Sequence, residues 1–178
     1  NTNQIDSIIL GLDEKLNSII AYSDLIFEKE IIERLTSVES DISLAIDNIS
    51  QNSDSFSDYV KTRNKPLRDG RILTQNRSNE ILGIQKEKKF GNFEYIGICY
   101  LTKKGSKIFL DQYKKLRKKN KNFDFNYFIN HLIKNKFKIN AVEINGGWME
   151  IRSENHLLRA KEILKKLNVW LFWNIFPR

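Results

Sequence analysis

Asp24 closes a short apolar run, Ser18 to Tyr22, that ends at Ser23-Asp24. A carboxylate just past a buried strand stands where ligands gather in open α/β sheets. It can hold a magnesium ion that keeps its other positions for water and phosphate. The competing reading is an aspartate that caps the helix beginning near Glu28. Glu150 offers a second carboxylate, and Arg152, two residues on, brings a fixed positive charge that can clamp phosphate but cannot ligate a metal. Lys86 forms a basic cluster with Lys88 and Lys89, either compact point charges for a phosphate group or a solvated surface. Tyr95 and Trp148 present aromatic faces that suit a quaternary ammonium group, or they are buried structural rings. Gly97 permits close approach to the backbone, or marks a β-bulge. Two histidines and one cysteine give little support to a zinc site or a Cys–His nucleophile. His131 lies within an apolar helical pattern and reads as structural.

These residues need a scaffold, and the chain alternates helical and strand patterns as an α/β domain does. Residues 4–16 place Ile5, Ile8, Ile9, Leu12 and Leu16 on one helical face. A strand over 18–22, a helix over 28–38 and a buried strand over 41–46 follow. The polar run 48–58 reads as a loop or a short, weak element, and the chain turns around Lys65-Pro66. Residues 71–75 and 80–85 read as a hairpin pair. Glu94 to Leu101 is the strongest strand signal, rich in β-branched and aromatic residues. Helices are predicted over 103–118 and, behind an Asp124 cap, over 125–134. Residues 137–144 and 148–151 read as a hairpin across Asn145-Gly146-Gly147. Ser153 then caps a helix over 154–167, and residues 168–178 form an apolar tail.

Composition sets the outer limits. The 178 residues are 40% hydrophobic and 11% aromatic, enough for a packed core and not a disordered composition. No run approaches the roughly 18 apolar residues of a membrane span, so no membrane partner is expected. The single cysteine, Cys99, points to a reducing, cytoplasmic compartment. The net charge is +8, concentrated between Lys103 and Lys138, where 12 Lys and Arg face two Asp. Such a block can attract nucleic acid, but a solvated helix face is the favoured reading. The first residue, Asn1, suggests a cut or processed segment. Lys88 to Tyr95 loosely echoes a strand whose aromatics stack on RNA bases, so an RNA-binding module is one rival, disfavoured because no partner strand is suitably placed.

Four stretches resemble, in order and spacing, segments of the nucleotidyltransferases of sugar phosphates and phosphocholine. They are Thr2-Asn3-Gln4-Ile5-Asp6-Ser7-Ile8, Tyr22-Ser23-Asp24-Leu25-Ile26-Phe27, Gly91 to Ile98 (GNFEYIGI) and Gly147 to Leu157 (GWMEIRSENHL). The resemblance covers residues 1 to about 165. It implies a Rossmann-like mixed sheet flanked by helices, whose first βαβ unit, with the glycine-rich loop that grips the nucleoside triphosphate, precedes Asn1 and is absent. Residues 1–167 would be a partial nucleotidyltransferase domain, inactive on its own.

For the intact protein the resemblance implies transfer of a nucleotidyl group, CMP ahead of UMP or dTMP, to choline phosphate, a phosphonate or a sugar phosphate. Asp24 matches the family's metal-binding aspartate, and Mg²⁺ is the expected cofactor, with Glu150 available to a shifted ion. Lys86 lies near the family's acceptor-phosphate lysine. Glu94, Gly97, Tyr95 and Trp148 would shape the acceptor pocket. Arg152 departs from the pattern, standing where the family has its second metal-binding aspartate. It either replaces the metal's charge or marks a protein that binds ligands without turnover. His156 also replaces a family aspartate. The apolar tail is the expected surface for homo-oligomer contacts.

Overall fold

The computed structural model describes residues 3–48, 57–64, 79–87 and 89–166. The first helix, α1 (Gln4–Gly11), starts where the Asn3 side chain accepts a hydrogen bond from the Asp6 amide, and it ends short of the predicted residue 16. Strand β1 (Ser18–Ala21) leads into the short strand β2 (Leu25–Phe27), then α2 (Lys29–Thr36) and β3 (Ile42–Asn48). Next come β4 (Asp58–Thr62), β5 (Asn79–Gln85) and β6 (Phe93–Leu101). Helix α3 (Lys103–Lys119) is capped by the Thr102 hydroxyl, and α4 (Phe125–Lys134) by the Asp124 carboxylate as expected. Strands β7 (Asn140–Glu143) and β8 (Trp148–Glu150) and helix α5 (Glu154–Lys166) complete the described residues.

Six strands form a mixed sheet in the order β1-β6-β3-β7-β5-β4, and β4 also pairs with β6. The extra pairing closes β6, β3, β7, β5 and β4 into a small barrel-like ring, where the sequence suggested an open Rossmann-like sheet. One pair, β3–β7, is parallel, and the other described pairings are antiparallel. A nine-residue strand makes closure possible. All of β6 is buried, and along one edge it has β1 beside residues 98–101 and β4 beside residues 93–95. Helices α3 and α4 pack their apolar stripes into a core that includes Leu44, Ile84, Phe93, Phe109 and Phe128. Helix α2 seals a second cluster around Ile31, Leu35, Ile98 and Val142.

One expected hairpin is not formed as read. Trp148 to Glu150 does not pair with β7; it pairs antiparallel with β2, Leu25 opposite Glu150 and Phe27 opposite Trp148. Gly146 and Gly147 both have positive φ, 72° and 79°, which glycine adopts without strain. The turn carries the chain off the sheet to Glu28, whose amide donates to the Gly147 carbonyl at 2.8 Å. Strand β5 has β4 and β7 as its described partners. The proposed partner strand 71–75, the turn at Lys65-Pro66, most of the 48–58 loop and the 168–178 tail lie outside the described residues. Phe93 is fully buried and Tyr95 is 5% exposed, so neither can stack on a nucleic-acid base. Among the described residues no helix is long and apolar enough to cross a membrane.

Candidate functional site

Strands β1, β3 and β7 run in one direction, so their C-terminal ends share one rim of the sheet. The rim of an α/β sheet at strand C-termini is where ligands bind. Asp24 lies just beyond β1, Asp47 near the end of β3, and Trp148, Glu150 and Arg152 in the segment that follows β7. The β2–β8 ribbon draws the first and last of these together, because the Ile151 amide donates to the Asp24 carbonyl at 2.7 Å. Asp24, Glu150 and Arg152, singled out from the sequence, therefore meet on one ribbon.

Asp24 does not cap α2. The N-cap is Glu28, without a side-chain cap bond, and β2 intervenes. The Asp24 side chain is exposed and makes no hydrogen bond or ion pair to another described residue. Glu150 is committed differently: its carboxylate pairs with the Arg152 guanidinium at 2.5 Å. Among the described residues no group of three His, Cys, Asp or Glu is arranged to hold a metal ion. The donors therefore fit a magnesium ion only in the form that arrives with phosphate, held through one carboxylate, Asp24. Glu150 does not fit as a second ligand while Arg152 neutralises it. His156 accepts from the Arg152 amide through Nδ1 at 3.3 Å, and its own amide bonds the Ser153 hydroxyl.

The predicted acceptor residues fall into three settings. Trp148 is half-buried against the α2 cluster, and its indole N–H donates to the Asp47 carboxylate at 2.8 Å. Asp47 also accepts from the Gly146 amide at 3.0 Å, so it fixes both the turn and the indole. Glu94, 9% exposed, accepts from the Ser57 hydroxyl at 2.8 Å. Gly97 lies where the β3–β6 register slips, with φ of +83°. A Cβ there would come within 2.6 Å of the Tyr22 ring. The missing side chain thus admits Tyr22, and Gly97 sits in an irregularity of β6.

That irregularity separates β1 from β4 along β6, and Tyr22 and Asp58 meet at the seam. Tyr22 donates its amide to the Gly97 carbonyl at 3.1 Å. Asp58 pairs opposite Tyr95, whose ring stacks on Phe125 and meets the Tyr22 ring edge-on. Asn126, the residue after Phe125, donates from its amide to the half-buried Asp58 carboxylate at 2.5 Å. Burial raises the Asp58 carboxyl above the ordinary range; its bond from Asn126 and nearby Lys86 oppose the shift, and Asp124 and Glu150 add to it. Lys86 itself is exposed just after β5. Burial and Asp58 together push the Tyr22 hydroxyl upward, and burial does the same for Tyr95.

Sequence reasoning missed Asp47, Asp58, Asn126 and Tyr22. Asn126 left a readable signal, a polar residue on the apolar stripe of α4 beside Phe125 and Ile129. Asp58 left none, because it opens a short strand at the end of a polar run.

No family model matches the chain, and no curated protein matches it in sequence. Its fold is shared with nucleotidyltransferases among the solved structures. It is similar to the inositol-1-phosphate CTP transferase of T. maritima, with TM-score 0.68 and 15% identity over 95% of this chain and 64% of that one. It is also similar to the UDP-glucose pyrophosphorylase of Acinetobacter baumannii, with TM-score 0.67 and 13% identity over 95% of this chain and 58% of that one. A UDP-glucose pyrophosphorylase in complex with UDP-glucose gives TM-score 0.64 and 16% identity over 93% of this chain and 62% of that one. The chain thus spans less than two thirds of the length of these enzymes.

Proposed function

We propose that the intact protein is a nucleotidyltransferase that joins a nucleoside monophosphate, CMP by preference, to a phosphorylated small molecule and releases pyrophosphate. The observation that carries this reading is the β2–β8 ribbon, which brings Asp24, Glu150 and Arg152 together at the C-terminal rim of a sheet shared with nucleotidyltransferases. The preference for CMP leans on the CTP transferase among the neighbours.

In such a transfer an acceptor phosphate oxygen attacks the α-phosphorus, a new P–O bond forms, and the bond to the β-phosphate oxygen breaks with its electrons leaving on pyrophosphate. The protein's work is positioning and charge stabilisation. Lys86 is exposed beside the Asp58 corner and would steady the acceptor phosphate. Arg152, held by Glu150, would keep a cation on the ribbon where charge builds on the transferring phosphate. Asp24 would hold the magnesium ion, which supplies further positive charge to the phosphates. Trp148 and Glu94, each fixed by a hydrogen bond, would border the acceptor.

A second reading, a binding protein of the same fold without turnover, draws on the Glu150–Arg152 pair. Both are tested by assaying the intact protein for pyrophosphate release from each NTP with a panel of phosphorylated acceptors. Release with one pair, lost in Asp24→Ala, supports the enzyme. Silence that turns to activity in Arg152→Asp points to a degenerate metal site, and silence in both supports the binding protein.

A further inference from the structure

Helix α3 carries its charge in a way that helix α2 does not. Lys103, Lys107, Lys114 and Lys118 recur at helical spacing, so they lie along one stripe, about 22 Å long at the rise of an α-helix, and all four are exposed. Lys104, Lys115 and Lys119 are exposed beside them, and Asp111 is the one acid in the helix. Three pairs, Lys103 with Lys107, Lys114 with Lys118 and Lys115 with Lys119, repel one turn apart. Lys103 and Lys104 also stand in a first turn that has no acid, where the helix dipole disfavours a cation. Helix α2 mixes its signs instead and pairs Lys29 with Glu33. Of the 12 Lys and Arg between Lys103 and Lys138, Lys104 is spent on Asp41 and Arg117 on Asp6. The others make no ion pair with a described residue.

Helix α4 extends the same surface. Ring contacts from Phe109 to Phe128 and from Tyr113 to Phe123 set the two helices side by side. Tyr127, His131 and Lys134 form an outer stripe of α4, at spacings of four and three residues. Burial, then Lys119 and Lys134, hold the His131 imidazole below its ordinary range, which puts the last turn of α3 beside that stripe. Tyr127 is 50% exposed, with its ring 6.1 Å from that of Phe123, and it is the one large apolar side chain that α3 and α4 expose. The nearby acid, Asp124, is spent on the α4 cap.

Lysines alone suit any polyanion; the ring selects among them. A half-exposed ring among cations suits a strand with unpaired bases, its phosphates on the lysines and a base on the ring. A duplex keeps its bases stacked inside, and a bilayer is gripped by several apolar side chains rather than one. We propose that the α3–α4 face binds an unpaired nucleic-acid strand, with Lys103, Lys107, Lys114, Lys118 and Lys134 on phosphates and Tyr127 against a base. This face is separate from strand β6, whose aromatics are buried, and the proposal is independent of the transferase reading.

The test is fluorescence anisotropy on the intact protein with labelled oligouridine and oligodeoxythymidine of about 20 nucleotides, long enough to cross both helices. Both should bind in the micromolar range near about 0.1 M salt, with a slope of log K on log salt of about −2 or steeper, as three or more phosphate contacts require. Lys107→Glu, Lys114→Glu and Lys118→Glu together should weaken binding at least about tenfold and flatten that slope. A control with the same change in charge, Lys29→Glu, Lys61→Glu and Lys165→Glu, should stay within about threefold of the parent, because salt screens distant charges. Tyr127→Ala should weaken binding about tenfold with the slope unchanged, since stacking releases no counterions. Equal losses in the two triple variants, or full binding in Tyr127→Ala, would overturn the proposal. So would binding to phosphatidylglycerol vesicles without binding to either oligonucleotide.

Discussion

Asp6 and Asp58 are two aspartates set among aromatic rings, and the protein treats them in opposite ways. Asp6, in α1, is 9% exposed and fully engaged. It accepts from the Tyr113 hydroxyl at 2.6 Å and from the Arg117 guanidinium at 2.9 Å. Arg117 in turn lies over the rings of Tyr113 and Phe123, and Asn3 bonds the Phe123 carbonyl. That corner is closed: each polar group brought in with Asp6 has a partner, and the result ties α1 to α3. The Asp58 corner also brings together a carboxylate, an amide and tyrosines, yet its polar groups are less fully engaged: the Tyr22 and Tyr95 hydroxyls meet each other without a short bond, and the buried Asn126 oxygen has no partner among the described residues. A satisfied network rigidifies a fold, and an unsatisfied one costs stability unless something else completes it. The difference marks the first corner as fastening and the second as a seam whose polar groups hold the fold less firmly.

The comparison breaks most sharply at Asp6. Asp6→Ala strands the Arg117 charge and the Tyr113 hydroxyl and should cost about 3 kcal/mol in urea unfolding. Next is the seam that separates β1 from β4. Gly97→Ala forces a left-handed residue with a side chain against Tyr22 and should cost about 2 kcal/mol. The smallest effect on folding is expected at Asp58 itself. Its folded carboxyl lies above the ordinary value of 3.8, so the native state holds the proton over a pH range where the unfolded chain has released it. That cost is absent at low pH and grows as the pH rises through the folded value. Asp58→Asn should therefore match the parent near pH 4 and become relatively more stable toward pH 7 by a margin below about 1 kcal/mol, measured by denaturation at each pH.

The division between what the sequence disclosed and what it hid follows the distance between partners. Strand β6 and helices α3 and α4 were legible because their signals are local: a β-branched and aromatic run, apolar stripes at helical spacing, and Asp124 at the cap position. Strand β4 was not, since Asp58 to Thr62 is a five-residue element whose pairing with β5 and β6 is made across long stretches of chain. Trp148 to Glu150 was recognised as a strand but given the wrong partner, because Gly146-Gly147 reads locally as a hairpin turn while its real partner lies more than a hundred residues earlier. The candidate site divides likewise. Asp24, Glu150 and Arg152 were found through the order of motifs, and the ribbon that joins them was not. Gly97 was read as lining the acceptor pocket, with a strand irregularity as the alternative; the irregularity is present, and what fills the space beside it, Tyr22, belongs to a different element.

The contrast between the two corners is tested most directly by one matched pair, Tyr113→Phe and Tyr95→Phe, unfolded in urea. Each substitution removes a single hydroxyl from a tyrosine near an aspartate. Tyr113→Phe should lose about 1 kcal/mol, because its hydroxyl bonds the Asp6 carboxylate. Tyr95→Phe should lose less than half of that, because its buried hydroxyl makes no bond to a carboxylate. Equal losses in the two variants, or a larger loss in Tyr95→Phe, would contradict the account.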